Sequence, residues 1–232
     1  MCCGVRLSVL RAERFRPPLA NTPFCFQCAK VLINRDKRFA FLSNPKTAST
    51  TIETWLGRTP GMVCFQGDSK FKHTNFQGFV KLMQAYDEPV HEYEVICIVR
   101  HPLDKARSWF RYRSRQAIEN NPARYLGNRT FAEYILEILH DHENGTGGVS
   151  FLNLKFVCDE HSVVRVDRIF PYHRINAAFE YLRSRLDLRG AVPTKAMNVS
   201  PEVDTTLSPE LTQAFSKTFA KEIEWYESLE QG

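Results

Sequence analysis

The chain has 232 residues, 43% of them hydrophobic and 25% charged, with a formal net charge of +5. That is apolar content enough for one sizeable core, and a mild basicity that suits an anionic ligand while falling short of the bias of a dedicated nucleic-acid binder. The seven cysteines are odd in number and irregularly spaced, which argues against a disulfide framework and for a reducing compartment.

Residues 1–36 lack sustained periodicity and carry Pro17, Pro18 and Pro23, which predicts an irregular N-terminal arm ahead of one domain over 37–232. In that arm Cys25 and Cys28 form a single CxxC that no second pair completes, so no metal is expected. The opening MCCGVRLSVLRAERFRPP is a poor secretory signal. RFAFLSN then reads as a buried strand, and TTIETWL as a short helix packing Ile52, Trp55 and Leu56. After a short stretch at MVCFQ, KHTNFQGFVKLMQAY places Phe76, Phe79, Val80 and Met83 at helical spacing, with Thr74 or Asn75 to cap. YEVICIVR reads as a central parallel strand ending at Arg100, and Pro102 suits the first turn of the helix LDKARSWFRYRSRQAIE. The run VICIV is far shorter than the roughly 20 residues of a membrane span, and no transmembrane segment is expected.

A helix over 130–142, a strand over 163–170 and a helix over 174–186 continue the alternation. The last helix is predicted as one piece: Ser208 caps it, Pro209 fits its first position, and Leu211, Phe215, Phe219, Ile223 and Tyr226 make a single apolar stripe. Alternating strands and helices predict an α/β fold, a single domain with a mostly parallel central sheet flanked by helices.

Two turns in this pattern carry chemistry. The first, PKTASTT, follows a strand and opens a helix, so unpaired amides, the helix dipole, Lys46 and the hydroxyls of Thr47, Ser49, Thr50 and Thr51 converge on one place. Such a turn is built for an oxyanion, which narrows the ligand to a phosphate or sulfate ester. The second is Arg100 at the end of the next strand, with Ser108 about two helical turns on. In a doubly wound sheet both lie beyond the strand carboxyl ends, which predicts a ligand with separated anionic groups.

PKTASTT resembles the 5'-phosphosulfate loop of the sulfotransferases that use 3'-phosphoadenylyl sulfate (PAPS), commonly written PKTGSTT. IVRHPLDKARSWFRYR resembles their 3'-phosphate motif in the spacing of Arg100, Pro102 and Ser108. The similarity is to the carbohydrate-type and bacterial members, in which a KH or GH element follows the first loop, as FKHTNF does here, and it extends over about residues 38–229 through RINAAFEYLRSRL, MNVS and a terminal helix. Ala48 stands where Gly is common and Lys105 where many relatives have Arg. The RKGxxGDWK segment of the small-molecule cytosolic enzymes is missing, which weighs against phenol and steroid acceptors.

The resemblance implies a P-loop-like sulfotransferase fold and an enzyme that moves a sulfuryl group from PAPS, with no metal, to a hydroxyl, that of a glycan or glycolipid. Lys46 would stabilise the leaving group and the transferring SO3; Thr47, Ala48, Ser49, Thr50 and Thr51 would hold the 5' side, and Arg100 with Ser108 the 3'-phosphate. His73 is the candidate base, since an imidazole with a pKa near ~6.5 accepts a proton at neutral pH; Lys72 would act beside it, and Asn198 and Ser200 of MNVS would line the cofactor site. The implied compartment is the cytoplasm of a bacterial-type enzyme, or the Golgi lumen if a native anchor is absent from the chain. Two rivals stand beside this reading. A P-loop phosphotransferase is disfavoured because GxxxxGK[ST] does not occur, and a noncatalytic nucleotide or RNA binder would use the basic and aromatic RSWFRYRSR at 107–115.

Overall fold

FAFL is apolar at every position and EVICIV at every position after Glu94, which suits strands covered on both faces, and they lie inside the sheet. In the computed structural model, which describes residues 31–64, 74–115, 125–145, 152–194, 200 and 202–229, the strands are β1 (Val31–Asn34), β2 (Phe39–Leu42), β3 (Met62–Cys64), β4 (Glu94–Val99) and β5 (Arg168–Pro171). Their order is β3-β1-β2-β4-β5. β2 is parallel to β4 and β4 to β5, whereas β1 is antiparallel to both β2 and β3. The fold is therefore α/β, but the sheet is mixed rather than mostly parallel. The cause is local: β1 and β2 are joined only by the turn at 35–38, and so short a connection makes antiparallel neighbours. Val31–Asn34 also shows that regular structure starts inside the stretch expected to be an arm.

Period-two alternation sends side chains to opposite faces. Val31, Ile33, Ala40, Leu42, Val95, Cys97 and Val99 pack on one side with Phe79 and Met83 of α2 (Phe76–Ala85). Leu32, Phe39, Phe41, Ile96 and Ile98 pack on the other with Ile52 and Leu56 of α1 (Ser49–Leu56) and Phe179 and Leu182 of the helix Ile175–Arg185. A third cluster is helical: Ala106 and Phe110 of α3 (Pro102–Arg113) meet Phe131, Ile135 and Leu139 of α4 (Phe131–Glu143). Thr130 closes a capping box at the start of α4, accepting from Glu133 N at 3.2 Å while Glu133 Oε2 accepts from Thr130 N at 2.7 Å.

The short α5 (Leu154–Val157) and α6 (Ile175–Arg185) flank β5 in sequence. The expected strand over 163–170 is reduced to β5, with Val164 pairing Cys158 in an isolated bridge. The terminal apolar stripe is two helices, α7 (Pro209–Thr218) and α8 (Ala220–Ser228), broken at Phe219 with φ −108° and ψ 26°. Phe215 and Phe219 join the α3–α4 cluster while Tyr226 packs with the sheet, and the break lets one stripe serve both. Among the described residues no helix is long and apolar enough to cross a membrane.

Candidate functional site

The chain leaves β2 through Ser43, Asn44 and Pro45, all buried, and reaches α1 by a turn in which Lys46 (φ +66°) and Ala48 (φ +59°) are both left-handed. Neither is glycine, so each carries a Cβ where L-residues are strained. Ala48 is the N-cap of α1 and supplies no side-chain bond; Thr51 N donates to Ala48 O at 2.9 Å, which leaves the amides of Ser49 and Thr50 to face an anion. Thr47 is fully buried and its Oγ1 donates to Asn44 O at 2.8 Å, which stitches the turn to itself. Ser49 and Thr51 are buried, and Thr50 is half-buried on the first turn of α1.

Lys46 lies across α3, with Nζ 4.4 Å from the ring centre of Tyr112 and 5.5 Å from that of Trp109. Burial, with Arg115 and then Arg100 adding like charge, lowers its pKa to about 8. Arg100 leaves the end of β4 and its Nη1 donates to Lys46 O at 3.3 Å, so the two predicted anion-facing residues meet on one rim. The Arg100 guanidinium sits 4.3 Å from the centre of the Tyr172 ring, and burial presses its pKa downward. Two further cations flank this pair: Arg111 Nη2 donates to Thr205 Oγ1 at 3.1 Å, and Arg115 Nη2 to Ser200 Oγ at 3.0 Å.

Among the described residues Lys46, Arg100 and Arg111 enter no ion pair, and Asp104 nearby is taken up by Arg107 at 2.8 Å. Among the described residues Arg100 Nε, Arg111 Nε and Trp109 Nε1 are buried without a hydrogen-bond partner. Each such donor costs about 1–3 kcal/mol. An oxygen-rich anion offers what both the charges and the donors lack. Beside them is an open cleft of about 520 Å³ between Asp104, Arg107 and Arg111 of α3 and Thr205, Thr206, Leu207 and Thr212. Ser108 is half-buried on α3, four residues after Asp104 and three before Arg111, which puts it on the same helical stripe; no hydrogen bond joins it to Arg100.

The structure thus brings Lys46, the α1 start, Arg100 and Ser200 to one place, with Ser108 on the adjoining helix. His73, Lys72, Asn198, Cys25 and Cys28 lie outside the described residues. Sequence reasoning missed the aromatic bed of Trp109 and Tyr112, the Tyr172 platform and the role of Arg111. The signal for the first was present: Trp109 and Tyr112 share a helix face, but that face reads equally as core. Among the described residues no group of His, Cys, Asp and Glu side chains could hold a metal ion.

No protein-family model, curated protein or solved structure matches this chain.

Proposed function

We propose that the chain is a PAPS-dependent sulfotransferase that transfers a sulfuryl group to a hydroxyl, that of a glycan or glycolipid. The observation that carries the reading is the single rim on which Lys46 and Arg100 touch, where among the described residues Lys46, Arg100 and Arg111 enter no ion pair and three buried donors lack acceptors. A donor with phosphate at one end and phosphosulfate at the other satisfies both residues at once. In the reaction the acceptor oxygen attacks sulfur in line as the bond from sulfur to the phosphate oxygen breaks. The acceptor proton goes to a base, for which His73 is proposed, and 3',5'-adenosine bisphosphate leaves. Lys46, held beside the turn amides, neutralises the charge that grows on the departing phosphate oxygen.

The rival readings gain less. The cradle of a nucleotide phosphotransferase remains incomplete, since GxxxxGK[ST] does not occur. For an RNA binder, Trp109 and Tyr112 lie under the Lys46 amino group, which reduces the stacking faces the 107–115 stretch offers. Calorimetry separates the three: 3',5'-adenosine bisphosphate binds and ATP does not compete well under the sulfotransferase reading. Strong ATP binding without bisphosphate binding defeats it, as does RNA binding with a steep salt slope and no nucleotide competition. Transfer of labelled sulfate from PAPS to a panel of glycans, lipids and phenols then identifies the acceptor.

A further inference from the structure

Beneath the rim runs a buried polar chain drawn from four separate segments. Lys105 of α3 is 0% exposed, and its Nζ donates to Asn44 Oδ1 at 2.7 Å and to Asn153 Oδ1 at 3.0 Å. Asn44, two residues before Lys46, donates through Nδ2 to Ile98 O at 3.0 Å and to Asn153 Oδ1 at 3.2 Å. Asn153 grips the backbone of Arg100 in both directions: its Nδ2 donates to Arg100 O at 2.9 Å, and its Oδ1 accepts from Arg100 N at 3.4 Å. Glu222 of α8 completes the chain, accepting from Asn153 N, from Asn153 Nδ2 at 3.0 Å and from Leu154 N at 3.2 Å. All four side chains are buried.

Stability alone does not favour this arrangement. Taking an ammonium out of water costs several kcal/mol, and an apolar side chain of similar size at such a position is often neutral or stabilising. What the network does contribute is geometry. One end holds the turn that presents Lys46 and the other holds the main chain of Arg100, and Lys105 with Asn153 spans the gap. Burial lowers the Lys105 pKa to about 7, opposed by Cys97 and Glu222 and assisted by Arg100. A neutral amine still has two N–H groups, the number that the two asparagine oxygens take up, so the linkage survives loss of the proton.

We propose that Lys105 is a positioning residue whose buried amino group, through Asn44 and Asn153, fixes the separation between the Lys46 turn and Arg100, so that one ligand with two separated anionic groups engages both. The inference rests on the sulfotransferase reading for its choice of ligand. A device that sets a separation acts on two-ended ligands in particular, because the second contact is productive only when its site stands at the right distance.

The test compares 3',5'-adenosine bisphosphate with adenosine 3'-monophosphate and 5'-monophosphate, by calorimetry on the full chain and on Lys105→Met. We expect the bisphosphate advantage over the better monophosphate to fall about tenfold or more, with each monophosphate changed by less than about threefold. Retention of the full advantage in Lys105→Met overturns the positioning role while leaving the sulfotransferase reading intact. An equal loss for all three ligands shows a merely structural lysine and overturns it likewise. If the unaltered chain itself binds bisphosphate no better than the monophosphates, the sulfotransferase reading falls and the inference falls with it. Should Lys105→Met fail to fold, Glu222→Gln, which keeps the side-chain shape while weakening the hold on Asn153, is judged by the same comparison: a selective loss of the advantage supports the role and an undiminished advantage overturns it.

Discussion

Ala48 holds a methyl group in a backbone conformation that suits glycine, at φ +59° and ψ 23°. The left-handed region costs an L-residue about 1–2 kcal/mol, and part of the gain from Ala48→Gly is returned through the greater freedom of the unfolded chain. Ala48→Gly is therefore expected to stabilise the protein by up to about 1 kcal/mol, read as a rise of roughly 2–4 °C in melting temperature. A lower melting temperature would deny the strain. Lys46 makes the second residue-scale prediction. Its pKa near 8 means that its charge is lost as pH rises through that value, so bisphosphate affinity should fall above about pH 8. A bound anion stabilises the charged lysine and moves the midpoint upward. Titration of affinity against pH checks this, and the decline should vanish in Lys46→Met. The turn at Lys46 was legible in the sequence as the link between a strand and a helix, because an apolar run breaks there at Asn44 and Pro45. Lys105 was not legible as a buried residue, because a lysine within a helix ordinarily reads as solvated, and its partners Asn44, Asn153 and Glu222 are scattered along the chain.

At the scale of elements, α3 is central, since it supplies Lys105 below the rim, the Trp109 and Tyr112 bed for Lys46, and the Arg111 and Ser108 stripe. α4 supports it through Phe131 and Tyr134, which pack on Phe110 of α3. Thr130→Ala removes the α4 capping box and should cost about 1 kcal/mol in urea unfolding while leaving bisphosphate affinity unchanged. A comparable loss of affinity would mean that α4 reaches the site. Helices were the easier elements to read: Asn75 caps α2 by accepting from Gly78 N at 2.9 Å, and Pro102 and Pro209 begin α3 and α7 as their fixed φ suggests. The break at Phe219 was hidden because an apolar stripe records which residues are buried and not which cluster buries them. β1 was hidden because VLIN is short, follows a proline-containing stretch and takes its place from pairing with β2 and β3, which periodicity does not express.

For the molecule as a whole, buried titratable groups set how stability varies with pH. Lys105 has a folded pKa near 7 against 10.5 for an ordinary lysine, so between these values the unfolded chain holds a proton that the folded chain has released. Stability then rises with pH, and Lys46 adds the same sign from about pH 8 upward. Cys97 acts the other way. Burial pushes its thiol up to about 12 from 9.0, so above about pH 9 the folded chain keeps a proton that the unfolded chain gives up. Together the three groups predict a rise in stability from pH 7, of order 2 kcal/mol by about pH 9 from the buried lysine, and a shallower rise above it, where Cys97 offsets one of the two lysines. Urea unfolding at successive pH values checks this. A stability that falls steadily from pH 7 would contradict the burial of the Lys105 amino group, and Lys105→Met should remove most of the rise. Above about pH 8 the proposed anion affinity and the stability are thus expected to run in opposite directions, because the desolvation that makes a charged lysine at this rim costly in the folded chain also makes it receptive to a bound anion.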